Sequence, residues 1–526
     1  MTALVLGPLL RHVGEHTATV WVETSHPCDV TVLDTTTPTF TVHGHHYAIV
    51  ELDGLEAGSE TPYEVRLGDT RAWPEADSPF PASVIRTLDG GPTRVSFGSC
   101  RIAPAKNETH NIDALQAFAH ALIAGQEPPS VLLMVGDQVY ADGTGEQMRA
   151  FIENRRDITA EPWEEIADFE EYTELYRLAW MTEPSVRWLL STVPALSIFD
   201  DHDIRDDWNT SFAWREWIWA QPWWRQRIVG GLGAYWVYQH LGNLSPAERK
   251  ADPLYKAVRA AEDGGAILDE FAERADKEPS TARWSYTVKF GGTRLVVVDS
   301  RASRLLTADR RAMLDDVEQA WLDEQLTGGI DHLLIASSLP YLLPPAIHHT
   351  ESWSEKLAAK RAVGEKLRRY ADLEHWAAFE TSFRLVAQAV TAVARGERGS
   401  APASIAFLSG DIHYSYLARV KGLPITQVVC SPFRNPLNGA FKWANKLACL
   451  RIGSGPARLI AKLFGAARPP LRWRITEGPW FDNAIATVTT DGREASVVWQ
   501  TPTSETALRD LSSARLSPGR APLGVE

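Results

Sequence analysis

Five apolar segments of the sequence each end in residues that can bind a metal ion or transfer a proton. The segments cover residues 94–98, 131–135, 195–199, 294–298 and 404–408, and they are followed by Cys100, by Asp137 with Tyr140, by Asp200-Asp201-His202-Asp203, by Asp299 with Arg301, and by Asp411 with His413. In an open α/β sheet, ligands bind beyond the carboxyl ends of the strands. We therefore predict that these five clusters meet in one cleft.

The residue types of the clusters favour a site for two or more metal ions. Carboxylates and imidazoles bind hard or borderline metals, and a thiolate or phenolate, as from Cys100 or Tyr140, favours a more Lewis-acidic ion such as Fe(III) or Zn(II). Asp411 and His413 are two residues apart and can face one ion. A metal pair about 3.5–4 Å apart can bind and hydrolyse a phosphate ester. Asp137, at the end of the most apolar segment and three residues before Tyr140, is the natural bridging carboxylate.

Taken alone, each cluster also has a purely structural interpretation. A Gly-Asp pair such as the one at Asp137 often marks only a turn, Cys100 alone fits a buried thiol, and Tyr140 alone fits a half-buried ring. The three carboxylates within residues 200–203 repel one another unless cations or solvent neutralise them, which indicates a metal or active site. The five strand ends together favour the functional interpretation over the structural one.

The elements that would position these residues fall into two unequal parts. Residues 1–90 contain short β-forming segments separated by turn residues, which predicts a small all-β sandwich domain; the segments are 17–23, 30–33, 45–52 and 63–67. From Arg94 onwards, apolar strands alternate with helical stretches, which predicts an α/β domain over 94–506; the stretches are 111–124, 310–326 and 354–394. The boundary is expected in the turn at residues 89–92.

Residues 141–280 are predicted to form a helical insertion in the α/β domain. Ten of the twenty tryptophans lie between Trp163 and Trp236. These rings predict either a cap packed against the main domain or a wall of the substrate cleft. The tail 507–526 shows no core pattern and is expected to be flexible.

The composition predicts an ordinary globular protein of 526 residues. A formal net charge of −14 argues against a general nucleic-acid binder, because such proteins neutralise phosphates with net positive charge. Four cysteines without CxxC spacing argue against a disulfide scaffold and indicate a reducing compartment. We see no secretory signal, no twin-arginine pair and no apolar run of about 18 residues, so we expect a cytoplasmic protein, with a trimmed exported form as the alternative.

In the order of its motifs, the sequence resembles the PhoD-like alkaline phosphatases, a branch of the calcineurin-like metallophosphoesterases. The motifs that carry the resemblance are Gly98-Ser-Cys100, Gly136-Asp-Gln-Val-Tyr140, Asp200-Asp-His-Asp203, Val298-Asp-Ser-Arg301, Gln319-Ala-Trp-Leu322, Ser337-Ser-Leu-Pro340, Ser409-Gly-Asp-Ile-His413 and Val429-Cys-Ser-Pro432. They cover residues 94–435, and a β-rich leading domain also precedes the catalytic domain in that family.

The resemblance implies a four-layer α-β-β-α sandwich that hydrolyses phosphomonoesters or phosphodiesters by attack of a metal-bound hydroxide. It implies iron, as Fe(III), held by Cys100, Asp137 and Tyr140. It also implies one or more divalent ions, with calcium expected and zinc, manganese or magnesium as alternatives, held partly by downstream carboxylates. On the same basis Asp201, Asp411 and His413 are metal ligands.

The resemblance also implies roles for residues that contact the phosphate. His202, oriented by Asp203, would hydrogen-bond a phosphoryl oxygen or protonate the leaving group. From its place at a strand end, Arg301 is a candidate to bind a non-bridging oxygen, with an ion pair to Asp299 as the alternative. The chain departs from the family, which usually has Glu at the position of Asp203 followed by an Asn pair; here Asp206 and Asp207 follow.

Residues 434–476 carry nine basic side chains and no acidic one, in contrast to the acidic chain as a whole. Within this basic segment, residues 441–450 and 457–464 are predicted to form short amphipathic helices. One interpretation is reversible attachment to an anionic membrane through 441–464; the other is a pair of packed helices that balance acidic surface or guide an anionic substrate.

The alternatives for the function as a whole come from two classes. Within the same fold, the protein is a phosphodiesterase for phospholipid or nucleotide substrates. In the other class, it is a non-enzymatic module that binds a glycan or a protein and carries a structural metal site. The expected partner is a phosphate ester, small or polymeric, without specific nucleic-acid binding. The sequence does not predict an oligomeric state.

Overall fold

The structure, a computed structural model, describes residues 2–104, 111–307, 309–358, 374–437 and 459–517, together with positions 442, 446 and 449. Its N-terminal part contains the strands β1 (Leu4–Val13), β2 (Ala18–Thr24), β3 (Asp29–Val32), β4 (Thr35–Pro38), β5 (Phe40–Val42), β6 (His45–Leu52), β7 (Glu60–Pro62), β8 (Val65–Leu67), β9 (Thr70–Trp73) and β10 (Val84–Arg86). Two four-stranded sheets, β1-β2-β6-β5 and β4-β3-β8-β9, enclose a core that includes Val20, Val50, Val30 and Val65. The β-rich leading region predicted from the sequence is therefore present.

A six-stranded sheet in the order β13-β12-β11-β23-β24-β25 supports three of the predicted strand ends. Its strands are β11 (Thr93–Gly98), β12 (Val131–Val135), β13 (Ala195–Ile198), β23 (Ile485–Asp491), β24 (Glu494–Ser504) and β25 (Ala507–Arg515). The strands β11, β12 and β13 run parallel, and β23 joins β11 antiparallel. The carboxyl ends of β11, β12 and β13 therefore lie at the same edge of this sheet.

A seven-stranded sheet in the order β14-β15-β18-β19-β21-β20-β22 supplies the other two strand ends. Its strands are β14 (Tyr286–Phe290), β15 (Thr293–Val298), β18 (His332–Ser337), β19 (Ser404–Ser409), β20 (Ser415–Val420), β21 (Ile425–Val429) and β22 (Trp473–Trp480). The strands β15, β18, β19 and β21 are parallel. Two short strands, β16 (Leu305–Leu306) and β17 (Arg311–Ala312), form a separate two-stranded sheet.

Helices connect these strands and fill the predicted insertion. They are α1 (Ala114–Ile123), α2 (Glu146–Arg155), α3 (Phe169–Met181), α4 (Pro184–Thr192), α5 (Phe212–Trp219), α6 (Trp224–Tyr235), α7 (Leu241–Asn243), α8 (Pro246–Ala251), α9 (Pro253–Ala260), α10 (Gly265–Lys277), α11 (Asp316–Gln325), α12 (Pro345–Ala358) and α13 (Glu380–Ala394). A π-helical turn, Trp236–His240, joins α6 to α7, and 3-10 turns lie at Pro279–Thr281 and Trp376–Ala378. Side-chain caps explain several helix starts: Asp113, Asp168 and Asp315 accept backbone N–H groups of the first turn.

The tryptophans of the insertion are mainly core residues. Six of the ten are buried: Trp180, Trp188, Trp208, Trp214, Trp224 and Trp236. By contrast, Trp163, Trp217 and Trp219 are exposed. The packing interpretation therefore holds for most of these rings, and Trp217 lines a cleft described below.

The segment expected to be a flexible tail, 507–526, begins with a strand, so the prediction was wrong for its first part. Strand β25 pairs antiparallel with β24, and Leu508, Leu511 and Ala514 pack against the main core. Opposite Trp499 and Gln500, the register of β25 skips a residue between Asp510 and Ser512, which interrupts the period-two pattern that would have revealed this strand in the sequence. Residues 518–526 lie outside the described part.

Among the residues that the structure describes, none forms a helix both long and apolar enough to cross a bilayer. The predicted amphipathic helix 441–450 falls almost entirely outside the described residues. Of the second, 457–464, the structure describes 459–464, with helical backbone at 459–463.

Candidate active site

Strand ends from both large sheets meet at one place. Cys100 follows β11, Asp137 follows β12 and His413 follows β19, and the Sγ, a carboxylate oxygen and an imidazole nitrogen of these residues lie within 4.8 Å of one another. The hydroxyl of Tyr140 donates a hydrogen bond to Asp137 Oδ2 at 3.3 Å. The structure thus brings together four of the six residues predicted as metal ligands.

The backbone at these strand ends is held in an uncommon conformation. Four of the residues have positive φ angles: Cys100 at 56°, Asp137 at 51°, Asp411 at 67° and His413 at 58°. A non-glycine residue rarely adopts this region, and it persists only where the surroundings impose it. Here the Asp411 N–H donates to Ser99 Oγ at 2.9 Å, which ties the end of β19 to the end of β11. The tight turns place donor side chains in a small volume.

Two glycines allow the strand ends to approach this closely. A Cβ on Gly136, whose φ is 97°, would lie 2.7 Å from the Cβ of Asp200, and a Cβ on Gly410 would overlap the side chain of Ser99. Because neither clash can be relieved without moving a strand end, the Gly-Asp sequences before Asp137 and Asp411 are steric requirements of the site.

A second group of ligand atoms adjoins the first through Asp137. Asp137, Asp201 and His202 form one set of atoms within 4.8 Å of one another, and Asp200, Asp201 and Asp411 form another. Asp137 belongs to the set with Cys100 as well as to the set with Asp201. This shared position is the geometry that a bridging carboxylate requires.

A third group contains residues that the sequence analysis missed. Glu374, His375 and Asp411 offer three ligand atoms within 4.8 Å, and His375 Nε2 lies 3.3 Å from Asp411 Oδ2. On its other side, His375 Nδ1 lies 3.0 Å from Glu351 Oε1 of α12. The only signal in the sequence was the adjacent Glu-His pair, which does not directly follow one of the five apolar segments.

Arg301 lies fully buried among the carboxylates of the centre. Its guanidinium donates hydrogen bonds to Asp200 and Glu374, and Nη2 lies 3.2 Å from Asp201 Oδ1. The alternative interpretation of Arg301, an ion pair with Asp299, is wrong. Asp299 Oδ1 instead accepts the backbone N–H of Arg301 at 2.8 Å and caps the turn after β15. Arg301 therefore offsets negative charge within the cluster.

His202 is oriented by a residue that the sequence analysis did not choose. Its Nδ1 lies 2.9 Å from Asp142 Oδ2, whereas Asp203 Oδ2 accepts the backbone N–H groups of Asp137 and Asp200 at 3.0 and 2.9 Å. The expected orientation of His202 by Asp203 is therefore wrong. After β13 the chain turns so that the side chain of Asp203 points back under the strand ends, where it fixes the backbone that carries two metal-ligand candidates.

Burial dominates the electrostatics of the carboxylates and the thiol. Together with the nearby carboxylates of Asp201, Asp203 and Asp411, it raises the pKa of Asp137 well above its ordinary range, against the opposing charge of His202. Burial also raises the pKa of Cys100 and brings the pKa of Asp201 to about 7. It lowers the pKa of His413 to about 4, which keeps the imidazole neutral. A cation stabilises such an arrangement, because the neutral imidazole can bind it and the crowded carboxylates have too little positive charge nearby.

The donor set fits a metal centre on independent grounds. Asp137 Oδ1 and Asp200 Oδ2 are buried, and neither has a hydrogen-bond partner among the described residues. Buried polar atoms are rarely left in this state. A sulfur, nitrogen and oxygen set at Cys100, Asp137 and His413 suits iron or zinc, and the all-carboxylate set around Asp201 suits a harder ion.

A cleft of about 560 Å³ opens beside this centre. Its lining includes Tyr140, Asp142, His202, Trp217 and Arg205. The Tyr140 and His202 rings lie 4.8 Å apart between centroids, and the indole of Trp217 is 42% exposed. The cleft therefore gives a ligand access to His202 and offers it an aromatic wall.

Comparisons with known proteins agree with this geometry. The family model of the PhoD-like phosphatases matches residues 111–435, and a domain of unknown function, DUF7800, matches residues 1–85. None of the curated proteins compared with the chain matches it.

Among solved structures, one described as "Structure of PhoD" superposes with a TM-score of 0.58 at 12% identity, over 97% of this chain and 92% of that one. A maltogenic amylase from S. marinus reaches a TM-score of only 0.15, at 8% identity over 94% and 76% of the two chains, and carries no argument. With its family match over most of its length and a fold similar to that of PhoD, the chain belongs to the PhoD-like phosphatase family.

Proposed function

We propose that the protein hydrolyses phosphate esters, both phosphomonoesters and phosphodiesters, at the centre formed by the strand ends. The observation that carries this proposal is the convergence of Cys100, Asp137, Asp201 and His413 from two sheets on a volume that adjoins a cleft. A non-enzymatic structural metal site would not need a histidine held by a carboxylate at the cleft wall.

Two ligand sets account for the metals. Cys100, Asp137, Tyr140 and His413 would hold iron. Asp201, whose carboxylate lies in one set with Asp137 and in another with Asp411, would hold with them a divalent ion such as calcium, with zinc, manganese or magnesium as alternatives. When bound, such ions supply Lewis acidity that offsets the charge of phosphoryl oxygens and lowers the pKa of water.

His202 is the residue placed to act on the leaving group. Asp142 holds Nδ1, so Nε2 is the nitrogen available to a ligand in the cleft. The paired carboxylate, together with Asp201 and Asp137, outweighs burial and raises the pKa of His202 well above its ordinary value. The paired carboxylate of Asp142 favours the protonated form of His202, which can donate a hydrogen bond to a phosphoryl oxygen or a proton to the departing alkoxide.

Arg301 acts through other residues in this proposal. Its hydrogen bonds to Asp200 and Glu374 use the guanidinium, so it fixes the carboxylates and partly neutralises them. This arrangement supports a positioning role rather than direct contact with a phosphoryl oxygen.

Substitution of the shared carboxylate tests the proposal. We expect Asp137→Asn to abolish release of nitrophenolate from bis(p-nitrophenyl) phosphate and to lower the metal bound per chain, measured by elemental analysis. Asp299→Asn is the matched control, because Asp299 is also a buried strand-end carboxylate but serves the backbone of a turn. An Asp137→Asn protein with full activity and full metal content would refute the proposal.

The charge of the cleft favours leaving groups that are not anionic. The cleft is lined by four carboxylates but by only one arginine and one histidine, His202. The carboxylates are those of Asp142, Glu165, Asp206 and Asp207. Arg205 is already engaged, with Nη1 3.0 Å from Glu165 Oε2. We expect kcat/KM to fall in the order phosphocholine, glycerol phosphate, phosphoglycerate, whose alcohols are cationic, neutral and anionic. Fastest hydrolysis of phosphoglycerate would contradict this specificity.

We also infer the four-layer α-β-β-α order of the catalytic domain. On the seven-stranded sheet, Val297 and Leu334 belong to the cluster that includes Val95 and Leu132 of the other sheet. Their neighbours along the strands, such as Val296 and Ile335, belong to a second cluster with residues of α11 and α13. This alternation supports one sheet face against the other sheet and one against helices.

A further inference from the structure

A helical turn in the basic segment presents a large apolar face to solvent. Leu459 is 60% exposed, Ile460 39%, Leu463 76% and Phe464 41%, whereas Ala461 is buried. Positions spaced by one, four and five residues lie on one side of a helix, so the four large side chains form a continuous face. Monomeric proteins expose such contiguous apolar faces mainly where they bind something.

The face is attached to the body of the protein. The ring of Phe464 stacks on that of Trp353 in α12, with 5.3 Å between centroids. Nearby, Arg384 Nη2 of α13 donates a hydrogen bond to the carbonyl oxygen of Arg468 at 2.7 Å. The apolar face is thus presented by packed helices and is not a free end of the chain.

The chain segment that carries this face has charges of one sign. Lys462, Arg468, Arg472 and Arg474 are exposed, and residues 459–476 contain no acidic residue, although the whole chain has a formal charge of −14. A second copy placed symmetrically on this face would bring like charges together, which disfavours self-association. Anionic lipid headgroups match the basic side chains, and the acyl boundary matches the leucines and the phenylalanine.

We propose that residues 459–474 form a surface for peripheral attachment to bilayers that contain anionic phospholipid. The apolar side chains enter the boundary between headgroups and acyl chains, and the lysine and arginine side chains extend to the lipid phosphates. The arrangement favours reversible attachment, because the inserted helical turn is short and each cation near the surface contributes only about a fivefold gain in partitioning.

The test uses the full-length protein and vesicles of defined composition. We expect co-sedimentation with vesicles of equal parts phosphatidylglycerol and phosphatidylcholine at low salt, weaker binding at high salt, and little binding to pure phosphatidylcholine. The double variant Leu459→Asp/Leu463→Asp should lose about tenfold or more of the bound fraction, because two exposed apolar anchors become anionic. The double variant Lys462→Glu/Arg468→Glu should show a similar loss of the bound fraction, and only with the anionic vesicles.

Val317→Asp is the matched control, since Val317 is 51% exposed on α11 and lies outside the basic segment. All variants should hydrolyse a soluble nitrophenyl ester at the wild-type rate, which shows that they are folded. Because vesicle binding is measured without turnover, its outcome is independent of the proposed enzymatic activity.

Three results would overturn the proposal. The first is absence of the wild-type protein from the pellet at low salt, and the second is equal binding by the wild type and both double variants. The third is a concentration-dependent dimer in light scattering that Leu463→Asp dissociates while no vesicle binding occurs, which would assign the face to a second copy of the chain.

Discussion

Replacing Asp142 by Asn should slow the hydrolysis of esters with poor leaving groups about tenfold. Burial by itself raises the pKa of Asp142, but His202, Arg227 and the backbone N–H of Asp206 together lower this pKa to about 2, from an ordinary 3.8. At about 1.4 kcal/mol per pH unit, this net shift corresponds to about 2.5 kcal/mol. Arg227 and the backbone N–H of Asp206 account for part of it, so the share of His202 corresponds to about tenfold in rate.

The assay compares leaving groups on the same protein. Protonation by His202 matters when the departing alkoxide is a strong base, as with methyl or glyceryl esters, and matters little for p-nitrophenolate. We therefore expect kcat for alkyl esters to fall about tenfold in Asp142→Asn, while kcat for the nitrophenyl ester changes by less than about twofold. The plot of log kcat against leaving-group pKa should become steeper.

Two controls separate this effect from structural damage. In Asp206→Asn the altered carboxylate is 73% exposed and lies 3.9 Å from His202 Nε2, so its slope should match that of the wild type. In Asp203→Asn the loss of two backbone hydrogen bonds should lower activity for all leaving groups alike. Equal losses for alkyl and nitrophenyl esters in Asp142→Asn would refute the role assigned to the pair of Asp142 and His202.

Three further predictions concern stability, metal content and specificity. Burial alone would lower the pKa of His45, but hydrogen bonds to Glu23 and Glu170 raise it to about 9. The resulting stabilisation, about 2 kcal/mol after allowance for solvent, is present below the unfolded pKa of about 6.5 and lost as the pH rises through 9, so His45→Gln should lower the unfolding midpoint at pH 6 but not at pH 10. Cys100→Ser should lower the iron bound per chain in elemental analysis, and equal iron in both proteins would exclude the thiolate as a ligand. Trp217→Ala should raise KM for aromatic diesters about threefold to tenfold with kcat nearly unchanged, because the indole lines the cleft. An unchanged KM would show that the indole does not contact these substrates.

The sequence predicted the framework of the catalytic domain because its signals were local. Each of the five apolar segments is a strand, and strand β6 has the predicted bounds 45–52. These strands are buried on both faces and rich in branched residues, so they appear in the sequence as unbroken apolar runs. Strand β25 was not predicted from the sequence, because its side chains are only partly buried and its register is irregular.

The site was predicted where ligand residues follow a strand directly, and missed where tertiary contacts decide the partner. Cys100, Asp137 and His413 follow strand ends, and the structure brings them together. The pair of Glu374 and His375 directly precedes the 3-10 turn Trp376–Ala378 and belongs to no strand of the described residues. His202 is paired with Asp142 and not with Asp203, which follows it in the sequence. This pairing depends on the path of two loops, which no local pattern encodes.

The N-terminal β region is connected to the candidate centre by a continuous path of buried hydrogen bonds. Arg11 Nη2 of β1 donates to the carbonyl oxygen of Gln239 at 2.6 Å, and Gln239 Nε2 donates to Asp203 Oδ1 at 3.2 Å. Asp203 Oδ2 in turn accepts the backbone N–H of Asp137. Gly242 leaves the space for Arg11, since a Cβ there would overlap the guanidinium. The part of the chain that matches a domain of unknown function thus braces the helical insertion, and through Asp203 it helps to fix the backbone of the shared carboxylate.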